Sequence, residues 1–253
     1  KFRRQRQMCI RDSRDTFSGR DHLTTQLLSR IHDHPFTFVL GHSGVGKSSL
    51  LQAGIVPKFE EHYGDRAHVF SFSPGNNPYD ELTKVMEAAG YDREQVATFT
   101  RPHLADLNRN EEFSVNVFRE LEKRFQKTGE RWLVLIDHFE QLFTRQIDPA
   151  LRRCFIASIV DIVEATKGEL TLLISMRDDF FGELHEFGEF AELADLNLFR
   201  IGELDADSLL DAIVKPAAQH GVVLETTLID RLGEDLADKP GILPRLFYTL
   251  QAA

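Results

Sequence analysis

The chain has 253 residues, 42% of them hydrophobic and 28% charged, with a net charge of −10. This length suits one large domain or a core with a smaller lid, and buries roughly 70–75% of its unfolded surface without help from disulfides. Two cysteines, Cys9 and Cys154, exclude a disulfide framework, a CxxC motif and zinc-finger spacing.

The first twenty residues hold seven Lys/Arg and two Asp, a net +5 that leaves −15 on the remainder. An acidic body argues against direct nucleic-acid binding, because neutralising phosphates takes clustered cations. The basic start lacks the apolar stretch of a signal peptide, and no apolar run reaches the ~18 residues of a membrane span. A cytoplasmic protein with no membrane partner is expected. Within the start, MCIRDS (8–13) back-translates onto a transposase adapter used in sequencing libraries. Residues 1–13 are read as a non-native segment or a disordered basic tail.

Leu23, Leu27, Leu28 and Ile31 follow at helical spacing. Next comes FTFVL (36–40), a short apolar strand that runs into GHSGVGKS, Gly41 to Ser48. This fits G-x-x-x-x-G-K-[ST], and the chemistry explains the spelling. Gly41, Gly44 and Gly46 let the backbone turn tightly with its N–H groups inward, forming an anion nest. A helix opening near Ser48 adds about +0.5 charge at its N-terminus. Lys47 supplies a full charge to the β- and γ-phosphates, and the Ser48 hydroxyl is a Mg²⁺ ligand. The nucleotide-contacting set expected here is Gly41, Ser43, Gly44, Val45, Gly46, Lys47, Ser48 and Ser49. His42 occupies a free loop position and is expected to face solvent.

AHVFSFS (67–73), WLVLID (132–137) and LTLLISM (170–176) read as further buried strands, with FRI (199–201) as a weaker fifth. Helices are expected over 48–59, 78–89, 111–127, 149–166 and 180–193. Strands alternating with helices mean a parallel sheet covered on both faces. Asp137 then lies at the carboxyl end of its strand, where open α/β sheets bind ligands, and can hold Mg²⁺ opposite Ser48. A helix N-cap is the alternative role. Glu140 is the candidate base that orients an attacking water, or else a first-turn carboxylate favoured by the helix dipole. In many ATPases the acid directly follows the aspartate; here His138 stands there. Arg177 ends the next strand and can read a γ-phosphate, or else pairs with Asp178 or Asp179. Phe180, Phe181, Phe187 and Phe190 read as core.

From Leu204 the strands stop, and three helices separated by Pro and Gly signals form a lid. LFYTLQAA carries no stop signal, so the lid is expected to be truncated. The expected division is a core over 14–203 and a lid over 204–253.

FSGRDHL (17–23), the phosphate loop, LVLIDHFEQLF, LLISMRDDFF and KPGILPRLFYTL together resemble the motifs of STAND proteins, the signal-transduction ATPases with numerous domains. The wording SSLLQAG-x-x-P, DxFEQLF, RDDFF and IVKPAAQHG is similar to the bacterial novel STAND domain found beside WD-repeat propellers. The resemblance spans about residues 15–253. Asp21 replaces a glutamate of the first box, and one extra residue precedes Pro244.

The resemblance implies a three-layer P-loop NTPase core of the RecA/AAA+ type. It also implies an adenine bordered by Phe17–Arg20 and Pro244, and a nucleotide-gated switch in which ADP holds a closed monomer and ATP opens and oligomerises it. Sensor domains (WD-repeat in some members) and effector domains would be covalently linked outside this sequence. The absence of an N-K-x-D motif points to ATP/ADP with Mg²⁺ rather than GTP. Alternatives are a nucleotide-binding module without turnover and, less favoured, an AAA+ initiator or loader. A small-molecule kinase ranks last, because residues 204–253 offer only Arg231 and Arg245 to close over phosphates.

Overall fold

The computed structural model describes residues 17–92, 94, 96, 130–165, 169–219, 221–229 and 231. The tail at 1–13, the expected helix at 111–127 and the end of the expected lid with Pro244 lie outside them.

Five strands form one parallel sheet: β1 (Phe36–Gly41), β2 (Ala67–Phe72), β3 (Arg131–Ile136), β4 (Leu170–Arg177) and β5 (Leu198–Arg200), in the order β2-β3-β4-β1-β5. β3 is in register with β2 from Arg131 opposite Ala67 to Ile136 opposite Phe72. It is in register with β4 from Trp132 opposite Leu170 to Ile136 opposite Ile174. Every residue of β1, and all but one residue of β3 and of β4, is buried. Burial of consecutive residues means that both faces are covered, which explains why these strands read as continuous apolar runs rather than alternating ones.

The helices are α1 (Asp21–Asp33), α2 (three consecutive pieces, Lys47–Ser49, Leu50–Ile55 and Val56–Tyr63), α3 (Pro78–Ala88), the short α4 (Gln141–Thr144), α5 (Pro149–Ala165), α6 (Gly188–Leu196) and α7 (Ala206–Gln219). Asn77 caps α3, its side chain accepting from the N–H of Tyr79 at 3.0 Å, with Pro78 at the first helical position.

The middle piece of α2 is a π-turn, where the Val56 N–H reaches back five residues to the Leu51 carbonyl. It ends at Ile55, two residues before Pro57, which has no N–H to return to the previous turn, and the wider spacing accommodates that gap. The helix expected over 180–193 is a correction. The chain forms a 3₁₀ segment, Asp178–Glu186, and only then α6. Gly182 and Gly188 lie inside the expected span, and Phe187 between the two elements has φ −118°, ψ 58°, outside the helical region.

The core is aromatic. Phe38 on β1 meets Phe139, Phe181 and Phe190 edge-on, with ring centroids 6.0–6.2 Å apart. Phe190 is buried, and Phe180, Phe181 and Phe187 pack partly buried against the same core, as their apolar character led us to expect.

The chain divides into two compact units, one of residues 1–29, 41–62 and 200–253, the other of residues 30–40 and 63–199. The phosphate loop belongs to the first, and Asp137, Glu140 and Arg177 belong to the second.

Candidate functional site

In the first unit, the loop from Gly41 to Ser48 joins β1 to α2. Gly44 and Gly46 adopt φ of 80° and 88°, the left-handed region that side chains disfavour. Gly41 is required for a different reason: a Cβ there would meet the Ile201 carbonyl oxygen at 2.6 Å. Lys47 opens α2 and is buried. Its ammonium donates to the carbonyls of Gly41 at 2.6 Å and His42 at 2.8 Å, so the one full charge of the loop points back into it. The Leu50 N–H bonds the Gly46 carbonyl at 2.9 Å, fixing the first turn of α2 onto the loop. Val45 is buried, Ser48 is half-buried, and His42, Ser43 and Ser49 are exposed.

Phe17 and Arg20 lie in the same unit. The Phe17 ring fills the space beside Gly54 of α2, where a Cβ would stand 2.9 Å from it. The buried Arg20 guanidinium donates from Nη2 to the Val45 carbonyl at 2.6 Å and to the Gly202 carbonyl at 3.1 Å. Burial pushes the Arg20 pKa below its ordinary value.

In the second unit, Asp137 follows β3 directly and is buried. Its N–H continues the ladder to the Phe72 carbonyl of β2 at 2.9 Å. Its Oδ1 accepts from the Ser175 hydroxyl of β4 and from the His138 N–H at 3.0 Å. The N-cap position of α4 belongs to Glu140, three residues on, with no side-chain cap bond. Glu140 is also buried. Its Oε2 accepts from the Arg177 N–H at 3.3 Å and its Oε1 lies 3.3 Å from His138 Nδ1. Burial pushes the Glu140 carboxyl up, but the hydrogen bonds and charge of His138 and the backbone N–H groups of Glu140 and Arg177 outweigh it. The result is a carboxyl below its ordinary range.

His138, at φ 57°, carries an imidazole 3.6 Å from Asp137 Oδ2 as well. Arg177 ends β4, the strand beside β1, and its side chain forks onto Asp179 at 3.0 and 2.5 Å and lies over the Phe180 ring. The ion-pair alternative for Arg177 is therefore the arrangement in this structure.

The sequence profile of the family described as Novel STAND NTPase 1 matches residues 10–253. The chain belongs to this family. As a novel STAND NTPase it carries a P-loop nucleotide-binding fold, and solved structures agree. A Walker-type ATPase of Pyrococcus abyssi is 18% identical with a TM-score of 0.55, over 88% of this chain and 64% of that one. Domain III of the replication initiation protein DnaA from Thermotoga maritima is 15% identical with a TM-score of 0.54, over 92% and 83%. The Aeropyrum pernix ORC1 protein, solved in complex with DNA, is 14% identical with a TM-score of 0.56, over 81% and 50%. At these identities the likeness shows the fold alone. The novel STAND chain spans 64%, 53% and 51% of the first three structural relatives. No curated protein sequence matches it.

Ser175 is the residue that sequence reasoning missed. It is fully buried on β4, two positions before Arg177, and its hydroxyl is given to Asp137. A serine inside the apolar run LTLLISM was the available signal, since a buried hydroxyl needs a partner. Among the described residues no group of three or more His, Cys, Asp or Glu forms a metal cage.

Proposed function

We propose that this novel STAND NTPase is an ATP-binding, slowly hydrolysing switch within a larger signalling or defence protein of the cytoplasm. The observation that carries the reading is the loop at 41–48, where two left-handed glycines and a buried lysine stand at a helix N-terminus, the arrangement an anion nest needs. Lys47 would exchange its two carbonyl partners for the β- and γ-phosphates, and Gly41, Ser43, Gly44, Val45, Gly46, Ser48 and Ser49 would follow the phosphate chain. Ser48 and Asp137 would hold Mg²⁺, which neutralises charge developing on the transferred phosphoryl group. Glu140 would orient the water, and Arg177 would leave Asp179 to read the γ-phosphate. Phe17, Arg20 and Pro244 are proposed to border the adenine. A core over 14–203 and a lid from 204 onward form the proposed moving parts, with an ATP-dependent homo-oligomer and covalently linked sensor and effector domains as partners. Fold likeness to replication initiators does not extend to DNA binding, which the acidic body disfavours.

A nucleotide-binding module without turnover is the second reading. It is favoured by Glu140, whose two oxygens are both engaged and whose carboxyl is held acidic, since a weak base serves poorly as a proton acceptor.

Measured ATP hydrolysis separates the two. The switch reading expects wild-type turnover above the Lys47→Ala background, slowed roughly 10²–10⁴-fold by Glu140→Gln with nucleotide binding retained. Wild-type hydrolysis equal to the Lys47→Ala background would leave only the module.

A further inference from the structure

The side chain of Arg20 grips the phosphate loop from behind. Its Nη2 bridges the Val45 carbonyl, inside the loop, and the Gly202 carbonyl, just ahead of α7. Arg20 is 7% exposed, and among the described residues no carboxylate pairs with it. The buried cation is answered by backbone oxygens.

The consequence follows from peptide geometry. In a planar trans peptide the C=O and the following N–H point in opposite directions. The peptide unit between Val45 and Gly46 therefore cannot present its carbonyl to Arg20 without aiming the Gly46 N–H the other way, off the face that Arg20 holds. Gly46, at φ 88°, carries no side chain to resist rotation of this unit, so an external restraint is needed. A carbonyl turned into an anion nest would repel the phosphate, whereas the N–H attracts it.

The neighbouring contacts are built to the same tolerance. A Cβ on Gly19 would stand 2.2 Å from the Ser208 carbonyl of α7, and one on Gly41 would stand 2.6 Å from the Ile201 carbonyl. Asp21 and Lys215 of α7 also approach to 3.8 Å. Segment 17–21, the loop and the chain from Ile201 into α7 thus close on one another, with Arg20 spanning all three.

We propose that Arg20 is a positioning residue for phosphate binding: it sets the Val45–Gly46 peptide so that the Gly46 N–H faces the nucleotide's phosphates, and it ties that peptide to the segment entering α7. The inference rests on the nucleotide reading of the loop, and it gives Arg20 a task distinct from contact with the base.

The test is ADP titration of wild type, Arg20→Lys and Arg20→Ala, with the Gly46 amide resonance followed by NMR. Losing a charge-assisted hydrogen bond predicts about 10- to 100-fold weaker ADP binding in Arg20→Ala. Lysine keeps the charge but is one atom shorter, so Arg20→Lys is expected between the two. The Gly46 amide should shift strongly on ADP addition in wild type and much less in the variants at saturation. If Arg20→Ala does not fold, Arg20→Lys carries both readouts, with affinity at least about threefold weaker expected. Wild-type affinity in a folded variant overturns the proposal. So does weakened affinity with an unchanged Gly46 response, which would leave Arg20 only its proposed place beside the base. A wild type that binds no ADP contradicts the nucleotide reading itself and removes this inference with it.

Discussion

Asp137 shows how neighbouring segments hold a single buried side chain. A buried carboxylate needs hydrogen-bond donors, and Asp137 takes one from the Ser175 hydroxyl and one from the His138 N–H. These bonds occupy Oδ1, while the His138 ring lies 3.6 Å from Oδ2. Ser175 thus fixes the carboxylate's orientation from the neighbouring strand. Ser175→Ala should leave the backbone ladder intact and raise the Mg²⁺ concentration needed for tight ATP binding by about 10- to 100-fold, the usual cost of losing an outer-shell partner. Magnesium titrations of ATP binding would show this, and an unchanged midpoint would remove Ser175 from the site. The placement of Asp137 and Glu140 was legible because acids at a strand's carboxyl end are conspicuous. Ser175 and the grip of Arg20 were not, since both depend on partners 38 and 25 residues away.

At the scale of elements, β1, β2, β3 and β4 appear within a residue of where their apolar runs place them, and the weaker β5 runs one residue ahead of FRI. Runs of Phe, Val, Leu and Ile buried on both faces leave little ambiguity about where a central strand begins and stops. The helices are less regular than their periodicity implies. Hydrophobic spacing does not reveal the π-turn before Pro57, where Leu50 to Ile55 are all buried, or the 3₁₀ turns of 178–186, where only Leu184 is.

Close packing between elements is sharper and can be tested at Gly19. Its φ of 84° alone costs an alanine about 1–2 kcal/mol, and the added Cβ would stand 2.2 Å from the Ser208 carbonyl oxygen, a backbone collision. Gly64, at φ 56° with open space around it, bears only the conformational cost. Gly19→Ala should therefore lower unfolding stability by more than about 2 kcal/mol and Gly64→Ala by about 1–2 kcal/mol. Denaturant titration measures both, and equal losses would mean that segment 17–20 does not hold α7 so closely.

For the whole molecule, membership in the novel STAND NTPase family agrees with the parallel sheet and its P-loop fold. Among the described residues no helix is long and apolar enough to cross a membrane. The family resemblance was legible because its motifs are written in contiguous words. The division into two units was not: Gly41–His62 groups with 200–253, far away in sequence, through packing that no local pattern encodes.

The central claim is that the loop at 41–48 binds nucleotide through Lys47. A ligand at a hundredfold excess over its Kd adds about 2.7 kcal/mol of stability, which at this chain length raises Tm by roughly 5–10 °C. Thermal unfolding with and without Mg-ATP, in wild type and in Lys47→Ala, is therefore the most direct measurement. We expect a rise of that size in wild type and little or none in the variant. No rise in folded wild-type protein, or the same rise in both, would contradict the account.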